Sequence, residues 1–214
     1  MLHTRTQARI RVAAASAALA LLLAACTAAP AQEAPVSESS SPEAPSPEAP
    51  QPSADEILGA YGLAGLDARE VIDTLDATAL AERESELFAS IRPDELLISD
   101  ASGAEVALPM PEDEFYVSIA PYVDTTHECY FHSLTTCAGE MRSEAVDVLV
   151  TDAASGEVLL EQSMVTFDNG FVGLWLPRGT EVDLTITRDG LTATERLSTD
   201  DGEDATCVTT MQLA

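Results

Sequence analysis

The sequence predicts an α+β chain, with a small helical N-terminal part followed by a mainly antiparallel β-sheet or sandwich. Three observations predict it. Two helix-capping signals stand close together at Ser53-Ala54-Asp55-Glu56 and Asp67-Ala68-Arg69-Glu70. Beyond Pro93 the apolar residues alternate with a period of two, as in Val146, Val148 and Val150. Short runs ending in glycine separate the apolar stretches, at Asp100-Ala101-Ser102-Gly103, Asp152-Ala153-Ala154-Ser155-Gly156, Asp168-Asn169-Gly170 and Asp189-Gly190. Side chains spaced for helices thus give way to side chains spaced for strands joined by tight turns.

Residues 1–25 read as a signal segment. Arg5, Arg9 and Arg11 make a basic start, and the apolar run from Val12 to Leu23 is too short to span a bilayer. It closes on Leu23-Ala24-Ala25-Cys26, which resembles the lipobox of bacterial lipoproteins. That resemblance implies export, removal of the signal and anchoring to the cell membrane through acyl (palmitate-type) chains on Cys26. The processed chain keeps seven arginines against 37 acidic residues, a net charge of −30, and has no lysine. Such a surface repels nucleic acid and anionic lipid headgroups, so neither is a partner by charge.

Residues 26–52 form a linker after the anchored cysteine. Ser-Pro-Glu-Ala-Pro occurs at 41–45 and again at 46–50, and almost nothing apolar is available to bury. The composition predicts a disordered, partly polyproline II tether, and at about 3.1 Å per residue it spans up to roughly 80 Å. The folded part is expected from Ser53, divided into residues 53–110, a helical and hairpin domain, and 111–214, a β-rich domain.

In each capping signal an oxygen-bearing side chain precedes a glutamate by three residues and an apolar pair follows: Ile57 and Leu58 with Tyr61, then Val71 and Ile72 with Leu75. Two short amphipathic helices result, the first stopped by Gly62. Helices this short must pack on the sheet or on a second copy, so this region is a candidate homodimer surface. About eight strands are expected, including Glu95 to Ser99, Ala104 to Leu108, Phe171 to Leu176, Glu181 to Thr187, Leu191 to Ser198 and a last one over Thr206 to Ala214. In that last strand alternation puts Cys207 on the apolar face with Thr209, Met211 and Leu213. Trp175, the lone tryptophan, is expected in the core.

The chemistry concentrates in Thr126-His127-Glu128-Cys129-Tyr130-Phe131-His132-Ser133-Leu134-Thr135-Thr136-Cys137. With Cys26 spent on the anchor, Cys129, Cys137 and Cys207 remain, an odd number in an oxidising compartment. One reading pairs Cys129 with Cys137 in a disulfide that adds roughly 2.5 kcal/mol by the chain-entropy argument, leaves Cys207 free, and makes the domain a stapled ligand-binding module. A second is a thiol oxidoreductase, although Cys129 and Cys137 are too far apart in sequence for a thioredoxin-type motif. The third brings all three thiolates onto one ion. Three sulfur ligands suit Cu(I) better than zinc, which usually takes four ligands, but His127 or His132 completes a zinc set. His127-Glu128 lacks the spacing of a zinc-protease helix, and no catalytic triad is legible. Tyr130, Phe131 and Leu134 are expected to wall the site.

Phe115-Tyr116-Val117-Ser118-Ile119-Ala120-Pro121-Tyr122-Val123, the Thr126–Cys129 and His132–Glu140 stretches, Asp168–Pro177 and Thr206–Thr210 together resemble the CueP family of periplasmic copper-binding proteins. The resemblance implies copper bound through Cys129, Cys137 and Cys207, a role in copper tolerance, and pairing of protomers through the N-terminal domain; a copper-donating or copper-accepting protein is expected as a further partner, its identity open. It leaves His127 and His132 as candidate secondary ligands. The lipobox and tether depart from the soluble periplasmic pattern. Thiols of this kind also reduce Cu(II), at the expense of their own oxidation.

Overall fold

The computed structural model describes residues 52–200 and 202–214, so the expected signal, the Cys26 anchor and nearly all of the linker lie outside the described residues. Helix α1, Ala54–Gly59, and helix α2, Ala68–Asp76, both begin with the full reciprocal capping box, Ser53 with Glu56 and Asp67 with Glu70. Leu63 N–H bonds to the Leu58 carbonyl and Gly62 N–H to that of Gly59, with Gly62 at φ +74°, so the predicted glycine stop ends α1. Both helices pack on the sheet: Ile57, Leu58, Val71 and Ile72 are buried in one cluster with Leu87, Ile91, Leu96 and Ile98.

Ten strands follow, in three sheets. β1 (Leu87–Ile91), β2 (Glu95–Asp100) and β3 (Glu105–Pro109) form an antiparallel meander. β4 (Glu114–Ile119) lies between β7 (Val172–Pro177) and β10 (Cys207–Val208). β5 (Ala145–Asp152), β6 (Val158–Val165), β8 (Glu181–Arg188) and β9 (Leu191–Ser198) form the third sheet, in the order β6-β5-β8-β9. The hairpin at Asp189-Gly190 has φ of +51° and +85°, the all-positive turn that the Asp-Gly pair favours. Inner faces of the second and third sheets meet in a core of Phe115, Val117, Ile119, Leu174, Val148, Val150, Leu184 and Ile186. This is the sandwich the alternation predicts.

β4 is the strand that joins the two cores. Its odd positions face the sandwich, whereas Tyr116 belongs to the helical cluster and Ser118 bonds to Asp76 of α2. A strand covered on both faces loses its alternation, which is why this run does not announce itself by period.

Three expectations need correction. β1 lies before Pro93, where no strand was expected. The nine-residue last strand shrinks to Cys207–Val208 and runs parallel to β4. Ala120 N–H still bonds to the Val208 carbonyl, but the next bond joins Tyr122 N–H to the Met211 carbonyl, one residue out of step, and the regular ladder ends. Cys207, Thr209, Met211 and Leu213 are nonetheless all buried. Trp175 is half-buried rather than central, because its indole N–H reaches out to Asp73 at 2.8 Å while the ring tilts against Tyr116.

Candidate metal centre

The cysteine stretch is held on three sides by backbone. Ile91 N–H bonds to the His132 carbonyl and Leu134 N–H to that of Ala89, so residues 132–134 dock on the open edge of β1. Thr206 and Cys207 both donate their N–H groups to the Tyr130 carbonyl. The buried Thr206 hydroxyl accepts from His132 N–H at 3.0 Å and donates to the Ile91 carbonyl at 2.8 Å. On the far side Glu140 gathers the N–H groups of Val123, Asp124 and Thr125 with one carboxylate, fastening the segment before His127 to the segment after Cys137. A distant cysteine is thereby brought beside a local pair.

All three cysteines are free thiols in this structure. Cys129 Sγ and Cys137 Sγ stand 3.6 Å apart, and Cys207 Sγ is 3.7 Å from His132 Nδ1. Two groups of donor atoms lie within 4.8 Å of one another: His127 with Cys129 and Cys137, and His132 with Cys137 and Cys207. Cys137 belongs to both. The first group is exposed or half-buried, whereas His132 and Cys207 are buried. An open cleft of about 510 Å³, lined by Tyr122, Thr126, His127, Cys137 and Glu140, leads to the shared cysteine. Sulfurs 3.6 Å apart need to move little to share an ion with thiolate bonds of about 2.3 Å.

His132 is oriented by a residue that the sequence reading did not single out. Asp76, at the end of α2 and fully buried, takes His132 Nε2 at 3.2 Å, the Tyr116 hydroxyl at 2.6 Å, the Ser118 hydroxyl at 3.1 Å and Asn169 Nδ2 at 2.7 Å. Burial alone would raise the Asp76 carboxyl, but the hydrogen bond and charge of His132, with the Tyr116 and Asn169 donors, hold it below the ordinary value. Burial would likewise lower His132, yet the bond to Asp76 and the proximity of Cys137 push it up to about 9. The imidazole therefore turns one nitrogen to a carboxylate and the other to sulfur, the orientation that histidines at metal sites commonly adopt. Asp76 had a signal in the sequence: it sits four residues after the buried Ile72, on the apolar face, and at the helix C-terminus, where a carboxylate is least favoured.

The thiols do not ionise alike. Hydrogen bonds from Cys129 and Cys207, then from His132, hold Cys137 far below the usual thiol value despite its burial. The bond to Cys137 raises Cys129 to about 11, and Cys129, Cys137 and burial raise Cys207. The cluster thus favours ionisation of one thiol over the others, with the cysteine common to both donor groups the one lowered. Of the expected wall residues, Leu134 is fully buried, but in the helical cluster, and Tyr130 lines a cleft with Cys129 and Cys207 while 56% exposed, with its hydroxyl on the Glu203 carbonyl.

The family of the periplasmic copper-binding protein CueP matches residues 70–212, a span that includes Asp76 and every one of these cysteines and histidines. The chain belongs to the CueP family. A crystal structure of S.CueP is 37% identical and superposes with a TM-score of 0.71, covering 78% of this chain and 100% of that one. No curated protein matches. Family members are described as periplasmic copper-binding proteins, which agrees with a site built from soft sulfur donors and a place outside the cytoplasm.

Proposed function

We propose that this protein sequesters copper outside the cytoplasm as Cu(I), held by the thiolates of Cys129, Cys137 and Cys207, and that it serves copper tolerance. The observation that supports the reading is that Cys137 is common to two donor groups, one with Cys129 and His127 and one with Cys207 and His132, so the C-terminal cysteine lies beside the local pair. Cu(I) accepts a small, all-sulfur ligand set, whereas zinc would call on a histidine as well. His132 holds its Nδ1 toward Cys207 as a supporting group, and His127, exposed at the cleft, offers a donor on the way in. Binding displaces the remaining thiol protons, so affinity falls as the medium is acidified.

The same thiols are suited to reduce Cu(II). Cys129 and Cys137, with sulfurs 3.6 Å apart, would give one electron to each of two Cu(II) ions, form one S–S bond and release the protons the pair still carries. An external dithiol reductant would restore them. Cys26 anchors the protein to the membrane, the linker gives it reach, and the helical part is the surface through which two copies would pair.

Anaerobic Cu(I) titration against a competing chelator tests the binding reading. One tightly held ion per chain, lost in each single Cys→Ser variant and largely kept in His127→Ala, supports it. Binding that is indifferent to Cys207, with only one titratable thiol in the metal-free protein, returns the site to a stapled module. Mixing with Cu(II) that consumes no thiol removes the reducing role.

A further inference from the structure

Among the described residues, four buried side-chain polar atoms have no hydrogen-bond partner: Arg83 Nε and Nη2, Arg92 Nε and Thr135 Oγ1. All four lie on or against the thiol stretch. Arg83 donates from Nη1 to the Cys137 carbonyl at 2.7 Å, the Arg92 guanidinium lies 4.1 Å over the Phe131 ring, and Thr135 is inside the stretch itself. Buried guanidinium N–H groups rarely go without acceptors, and a chain with ten basic and 37 acidic residues has carboxylates to spare. Arg83 instead keeps two of its three guanidinium nitrogens unused while the third holds the Cys137 carbonyl.

The charge on the site gives these donors a purpose. Three thiolates around Cu(I) carry a net charge of two minus. Arg83 brings a positive charge to the site through its Nη1 bond to the Cys137 carbonyl at 2.7 Å; burial lowers the guanidinium, and Asp76, Cys137 and Asp168 oppose that lowering. Its main-chain setting fits the part, between the 3-10 turn Leu80–Glu82, whose Leu80 N–H is held by the Asp168 carboxylate, and β1, on whose edge the thiol stretch docks.

We infer that Arg83 is a positioning residue for the copper site, fixing Cys137 through its carbonyl and offsetting the negative charge of a copper–thiolate complex. This rests on the copper reading above, and the test separates the two. The full chain is titrated anaerobically with Cu(I) against a chelator as wild type, Arg83→Lys and Arg83→Met, and each metal-free form is reacted with an anionic and with a neutral aromatic disulfide. Arg83→Met is expected to bind Cu(I) about 10–100-fold more weakly, the usual cost of losing an outer partner of a metal ligand. Arg83→Lys is expected to recover most of that loss. The ratio of anionic to neutral disulfide rates falls in Arg83→Met and stays near wild type in Arg83→Lys. A merely structural arginine would not move that ratio. Arg83→Met binding as tightly as wild type overturns the inference, as does an Arg83→Lys as weak as Arg83→Met. Weak binding by the wild type itself would count against the copper reading, and the disulfide ratio would then decide the charge role of Arg83 alone, an unchanged ratio overturning it.

Discussion

Replacing Asp76 by alanine is expected to be the most damaging single change to this protein outside its cysteines. The carboxylate is the shared acceptor of Tyr116, Ser118, His132 and Asn169, at 2.6–3.2 Å, and is fully buried with its partners Tyr116, Ser118, His132 and Asn169. Each buried donor left without an acceptor costs about 1–3 kcal/mol, and removing one partner of a buried ion pair costs about 3–5 kcal/mol. Asn169 keeps its bond to the Asp76 carbonyl, and the vacated space lets some donors regroup, so the contributions do not simply add. About 3–5 kcal/mol is therefore the expected total, a large share of a typical domain stability of about 5–15 kcal/mol. Urea unfolding of the metal-free protein measures it: with a slope of about 2 kcal/mol per molar, the midpoint falls by roughly 2 M. Asp76→Asn, which keeps the shape and one acceptor oxygen, is expected to cost less. A double-mutant cycle with His132→Gln should be non-additive, because the two groups share one bond. A loss below about 1 kcal/mol for Asp76→Ala, or strict additivity in the cycle, would refute the assignment of Asp76 as the buried anchor of His132.

Further outcomes follow from other parts of the site and fold. Gly170 has φ +82°, and a Cβ there would lie 2.7 Å from the Gly139 carbonyl oxygen, so Gly170→Ala is expected to destabilise by at least about 2 kcal/mol in urea unfolding and to loosen the Cys137 loop. Glu140→Ala frees the N–H groups of Val123, Asp124 and Thr125, which hydrogen exchange should register as lost protection confined to those amides and their neighbours. Asp152 is held down to about 2, first by the Ser155 hydroxyl and amide and then by Thr180. A depressed carboxyl stabilises the fold fully above its unfolded value of about 4, and that contribution is lost as pH falls toward 2. Wild type should accordingly lose more stability than Asp152→Asn across that window, as thermal melts at successive pH values would show.

The local signals were legible because each arises from a few neighbouring residues. Ser53 and Asp67 cap helices three residues ahead of their glutamates, and Asp189-Gly190 needs positive φ, wherever the rest of the chain goes. Cys129 and Cys137 drew notice through their spacing, and burial of Cys207 followed from alternation even though its strand proved short. What stayed hidden depends on residues far apart in sequence. β4 carries no period because both its faces are covered, and the shift after Val208 shows only in how the two segments pair. The place of Asp76 on the apolar face of its helix marks it as unusual, but its partners Tyr116 and Asn169 converge on it from 40 and 93 residues away. Arg83 and Glu140 act on the site through main-chain groups, for which side-chain patterns have no signature.

The central claim is that three cysteines share one copper ion, and X-ray absorption at the copper edge of the Cu(I)-loaded full chain reports on it most directly. The account predicts a first shell of three sulfur atoms at about 2.3 Å, reduced to two in Cys207→Ser with its supporting histidine drawn in or the ion lost. A nitrogen- or oxygen-dominated shell, or a sulfur shell that is the same in Cys207→Ser, would contradict it.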